Sequence, residues 1–131
     1  MRKSRTLTLA AAGAAAVLLL GQTLQVSAAE TKKEITGREL AYDKKKGNCL
    51  ACHQFPADPA TQSSSSKYYT AATIGPRLDG MKLRIPDKAD LRAQIWDPLV
   101  KHPNTVMPPF GIHHILTPKE IDLIVDYVYS Q

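Results

Sequence analysis

Cys49-Leu50-Ala51-Cys52-His53 constrains this chain more than any other stretch of it. Two thiols three positions apart, followed at once by an imidazole, form the pattern by which haem is attached covalently to a polypeptide. Each thiol can add to one vinyl group of the porphyrin, forming a thioether. The histidine that follows is then held beneath the iron, with a neutral imidazole nitrogen as axial donor. A chain of this kind folds around a rigid apolar disc, and the rest of its sequence has to supply the walls.

Other chemistries fit those residues less well. Cys49 and Cys52 are the only cysteines, and a Cys2His2 zinc site needs two histidines at finger-like spacing after them. No such pair follows. A thioredoxin-like dithiol belongs in a βαβ context, yet Asp43 to Asn48 and Gln54 to Pro56 carry no strand pattern. A plain structural disulfide leaves the adjacent His53 without a role.

The start of the chain agrees with haem attachment outside the cytoplasm. Arg2, Lys3 and Arg5 precede an alanine- and leucine-rich run from Leu7 to Leu20, and Ser27, Ala28 and Ala29 are small. This is the composition of a signal peptide with cleavage after Ala28 or Ala29. The run is shorter than the ~20 residues of a spanning helix, so residues 1–29 are expected to be removed, and no stable membrane insertion is expected. An uncleaved N-terminal anchor is the alternative. Residues 30–131 then form one exported, periplasmic domain. Cleavage removes three cations and no anion, so a net charge of +5 falls to +2, and the basic balance gives no ground for nucleic-acid binding. Leu, Ile, Val, Phe, Met and Trp supply 25 of the remaining residues, most of them between Ile74 and Val128. That is a thin core for a domain of this size, and haem is expected to be its largest apolar element.

The remaining pattern is helical. Thr36-Gly37-Arg38-Glu39 has capping-box spacing and predicts a helix to about Lys46, stopped by Gly47-Asn48. Residues 54–73, with Pro56, Pro59 and the serines from Ser63 to Ser66, read as loop. Asp90 to Asp97 predicts a short helix with Leu91, Ile95 and Trp96 on one face. Thr117-Pro118-Lys119-Glu120 combines an N-cap, proline at the first helical position and a returning glutamate. Ile121, Ile124, Val125 and Val128 follow at the spacing of one apolar stripe. No segment reads as a strand.

A helix before the haem motif, loops in the middle and an amphipathic C-terminal helix resemble the class I cytochrome c fold, all-α with long loops wrapped around one covalently bound haem c. In that fold the first and last helices cross at a small residue, for which Gly37 is the candidate, with Tyr127 or Val128 opposite. Ile74-Gly75-Pro76-Arg77-Leu78 is similar to the segment that passes the proximal side of the haem. The resemblance implies that Pro76 accepts a hydrogen bond from the second nitrogen of His53, and that Leu78 touches the cofactor. Such a bond fixes the ring and strengthens it as a donor.

The sixth ligand must come from a downstream loop. Met107, followed by Pro108 and Pro109, is the first choice, because prolines stiffen the backbone that presents the thioether. Met81, His113, His114 and His102 are the competitors. A lone methionine is otherwise ordinary core filler.

Four segments occur together and in order: Gly47 to His53, Ile74 to Leu78, Met107-Pro108-Pro109-Phe110-Gly111, and Leu116 to Ile121. The combination resembles the SoxX family of monohaem cytochromes. Membership implies a heterodimer with a SoxA-type cytochrome subunit, an L-cysteine S-thiosulfotransferase in which the partner hosts the chemistry. That reaction joins thiosulfate oxidatively to a cysteine of a carrier protein. This chain would take up the electrons and pass them to a soluble cytochrome. It has no catalytic set of its own, since both thiols are committed to haem. A freely diffusing class I cytochrome c shuttle would share every haem residue, and a haem enzyme or ligand sensor would leave the sixth position open.

Overall fold

The computed structural model describes residues 33–70 and 72–131. The expected signal peptide at 1–29 lies outside them. Four α-helices are present, α1 (Gly37–Tyr42), α2 (Met81–Arg84), α3 (Lys88–Trp96) and α4 (Pro118–Tyr129), with single 3-10 turns at Cys49–Ala51, Pro59–Thr61 and Pro98–Val100. The described residues contain no strand, and none of their helices is long and apolar enough to cross a membrane.

Both capping boxes form. Thr36 Oγ1 accepts from Glu39 N at 3.1 Å while Glu39 returns to accept from Thr36 N at 2.9 Å. Thr117 and Glu120 do the same for α4, behind Pro118 in the first turn. Ile121, Ile124, Val125 and Val128 are all buried, as the stripe predicts.

Helix α1 ends at Tyr42 and does not reach Lys46. Asp43 takes an extended conformation, and its carboxylate accepts from Lys45 N at 2.8 Å. This local bond competes with the helical ladder and wins. Lys46 N and Asn48 N then both donate to Asp43 O, folding the three lysines into a turn. Helix α3 begins two residues before its expected start, because Asp87 caps Ala89 N at 2.7 Å. Leu91 and Ile95 share the buried face, whereas Trp96 is only half-buried and turns toward Gly111. The one-turn helix α2 has no signature in the sequence.

Helices α1 and α4 cross at Gly37. A Cβ there would lie 1.9 Å from Leu123 O and 3.0 Å from Tyr127 Cβ. Of the two expected partners, Tyr127 lies opposite Gly37 and Val128 is not among the nearest atoms, while the Leu123 backbone, one turn earlier, comes closer still. Beside the crossing, Phe55 is fully buried between Tyr42, edge-on at 5.4 Å, and Tyr127, stacked at 5.6 Å.

The 54–73 segment is pinned more firmly than its composition suggests. Asp58 accepts from Arg38 Nε at 2.5 Å and from the hydroxyls of Tyr42 and Tyr127, each at 2.9 Å. It also caps the turn at Pro59–Thr61 through Ala60 N, and buried Thr61 donates to Phe55 O at 2.7 Å. The loop is thereby tied to both crossing helices.

Candidate haem site

The chain arrives at the motif through Asn48, whose φ of 48° is left-handed, a conformation that asparagine tolerates. Cys49–Ala51 then form a tight turn, closed by Cys52 N and His53 N both donating to Cys49 O, at 3.1 and 2.8 Å. The turn brings both thiols and the imidazole to one side. Cys49 and Cys52 are not bonded to each other. Burial pushes the Cys49 thiol up to about 12, so it is neither a ready thiolate nor a poised redox nucleophile.

His53 is fixed from behind. The 75–78 segment runs alongside the motif, with Gly75 N donating to Cys52 O and Leu78 N to Gln54 O, each at 2.8 Å. That pairing brings Pro76 O to 2.7 Å from His53 Nδ1. A carbonyl can only accept, so Nδ1 carries the proton and Nε2 keeps a free lone pair. Gly75 has no freedom to be anything larger. A Cβ there would fall 2.3 Å from His53 Cε1 and 2.6 Å from Nδ1.

Cys49, Cys52, His53, Pro76, Leu78 and Met107 all line one cavity of about 690 Å³. Its remaining wall is mostly apolar and comes from every helix after α1, including Met81, Ile95, Phe110, Ile124 and Val128. Met107 is half-buried on the loop after α3, with its N–H held by Thr105 Oγ1 at 3.1 Å. Of the competing ligands, Met81 and His102 also line the cavity, while His113 and His114 are exposed and do not. Met81 is buried directly after the segment that backs His53, and its sulfur lies 3.8 Å from the Arg84 guanidinium.

A covalently bound porphyrin fits this cavity. Its volume lies within the range of cofactor sites, its walls are apolar, and the two thiols and a correctly tautomerised imidazole share its lining. Filling it with an apolar ring takes the apolar lining out of water, which is favourable. Among the described residues, no three His, Cys, Asp or Glu side chains are grouped so as to hold a metal ion. Arg84 and Gln94 also line the cavity, and neither carries a motif by which sequence reading could find it. Lys44 and Lys46 reach its mouth, Lys46 paired with Glu120 at 2.7 Å.

The family model described as Cytochrome c matches residues 35–131. A protein of Aquifex aeolicus (strain VF5), described as an uncharacterized lipoprotein, is 36% identical over 86 residues. The match covers 66% of this chain and 37% of that relative, so the chain spans little more than a third of the relative's length.

Proposed function

The chain belongs to the cytochrome c family, and from that premise we propose that it is the monohaem electron-transfer subunit of a SoxAX-type complex. The coarse activity follows from the family: this is a class I c-type cytochrome that carries covalently attached haem c and transfers electrons. Bound haem supplies a one-electron iron couple. The protein's residues decide where the haem sits and how readily the couple is reduced.

In this reading the Cys49 and Cys52 thiols hold the porphyrin and His53 Nε2 is the proximal ligand. The Nδ1–H bond to Pro76 O orients the ring and makes it a stronger donor. Met107, in the same lining, would supply the thioether, and a thioether paired with imidazole raises the potential relative to two imidazoles. The apolar wall would limit water at a bound haem and so favour the less charged, reduced form of its iron. Arg84, a guanidinium in the lining, is available to the carboxylates of the porphyrin. With His53 and Met107 both as ligands the iron would offer no place for substrate, so oxidation of sulfur would belong to the partner.

The finer assignment rests on one observation. The four segments whose order resembles SoxX all contribute to the same cavity, among them Cys49 and His53 of the first, Pro76 and Leu78 of the second, Met107 and Phe110 of the third, and Leu116 of the fourth. The proposed partner is a SoxA-type cytochrome, with the complex joining thiosulfate to a carrier-protein cysteine and releasing two electrons. The proposed compartment is the periplasm. Purification of the native protein under mild conditions tests this: a stable one-to-one complex with a second, cysteine-ligated cytochrome is expected. Recovery of a monomer at micromolar concentration would favour the freely diffusing shuttle.

A further inference from the structure

The loop that presents Met107 is folded by local turns, among them His113 N to Pro109 O and Leu116 N to Phe110 O, but few of its backbone groups reach α3. Pro108 and Pro109 donate no N–H, and Met107 N is used locally on Thr105. Among the described residues, the backbone bonds that tie this loop to α3 converge on a single atom. Gly111 N donates to Trp96 O at 3.0 Å and Ile112 N to the same oxygen at 3.4 Å. The side chain of the same residue completes the contact. A Cβ on Gly111 would lie 2.2 Å from Trp96 Cδ2 and 2.4 Å from Cε3, so the indole rests directly on the glycine backbone. The ring cannot simply retreat, because the Arg92 guanidinium stacks on it at 5.3 Å. Arg92 is itself paired with Asp122 of α4 at 2.6 Å.

We infer that Trp96 and Gly111 form a clamp that holds the Met107 loop closed over the haem, making Trp96 a positioning residue for the axial thioether. The inference rests on Met107 being the sixth ligand. Trp96 and Gly111 do not line the haem cavity, so they act through the loop and not by touching the cofactor. A thioether is a weak ligand, and the fraction of molecules with methionine off the iron sets how well an added ligand competes. Loosening the clamp raises that fraction.

The test uses the oxidised holoprotein, with the methionine–iron charge-transfer band and the affinity for added imidazole as readouts. Gly111→Ala is expected to weaken the band and tighten imidazole binding about tenfold. Trp96→Ala, at a half-exposed position that α3 tolerates, is expected to act in the same direction. In the Trp96→Ala background, Gly111→Ala should add little, because the atoms it would strike are gone. Covalent haem content and helical circular dichroism, measured alongside, establish that each variant is folded. An unchanged imidazole affinity in folded Trp96→Ala, or two substitutions whose effects simply add, overturns the clamp. A wild-type protein with no methionine band overturns the Met107 reading and the clamp with it. A wild-type band that survives Gly111→Ala at full strength overturns the clamp alone.

Discussion

Gly75 is where one methyl group does most harm to the site. It packs against the face of the His53 ring, and a Cβ at 2.3 Å from Cε1 forces the ring or the 75–78 segment to move, breaking the bond to Pro76. Gly75→Ala is therefore expected to lower the yield of haem-loaded protein, on the order of tenfold as for other losses of ligand support. Pyridine-haemochrome content per polypeptide measures it. Asp58 carries a different single-residue consequence. Burial works to raise it, but Arg38, the two tyrosine hydroxyls and Ala60 N hold its carboxyl down at about 2. A depressed carboxyl contributes stability above its unfolded value, near 3.9, and loses it as pH falls toward 2. The contribution is about 2 kcal/mol. Asp58→Asn should unfold earlier in urea at pH 7, and the gap from wild type should shrink below pH 4. A gap that stays constant down to pH 2 would remove the electrostatic account.

At the scale of elements, the α1–α4 crossing is the joint on which the cavity depends. Gly37→Ala places a methyl within 1.9 Å of a backbone carbonyl that cannot swing away. The helices must separate, at a cost of about 3 kcal/mol, read as a lower denaturant midpoint in the holoprotein. Helix starts were legible because they depend on four consecutive residues: Thr36 with Glu39, Thr117 with Glu120, and the stripe from Ile121 to Val128. The end of α1 was not, since it turns on Asp43 bonding its own neighbour's N–H. Nor was α2, whose single turn has no room for periodicity. Tyr127 opposite Gly37 is legible, but the still closer Leu123 carbonyl is not, because sequence shows that two helices touch but not the atomic distances at which they do.

For the whole molecule, haem and fold depend on each other. Met81, Leu91, Ile95, Phe110, Leu116, Ile124 and Val128 belong to the one buried core cluster and also line the cavity, so the same side chains serve core and cofactor site. Cys49→Ser combined with Cys52→Ser is expected to leave a polypeptide with reduced helix content and no cooperative thermal transition, followed by circular dichroism. A sharply melting, fully helical double variant would mean that the side chains can close the core unaided. The 54–73 loop also belongs to this scale. Its serines and prolines gave no hint that Asp58 joins α1, α4 and the loop through one carboxylate. The haem attachment, the proximal histidine's immediate neighbourhood and the two capped helices were fixed by residues adjacent in sequence, where spacing alone dictates geometry. The Pro76 bond was reached through family resemblance, and the candidacy of Met107 through the prolines that follow it. The Leu123 contact, the Asp58 cluster and the Trp96–Gly111 clamp came only from the tertiary structure. Each joins residues dozens of positions apart or sets an atomic distance between packed elements, and no local pattern encodes either.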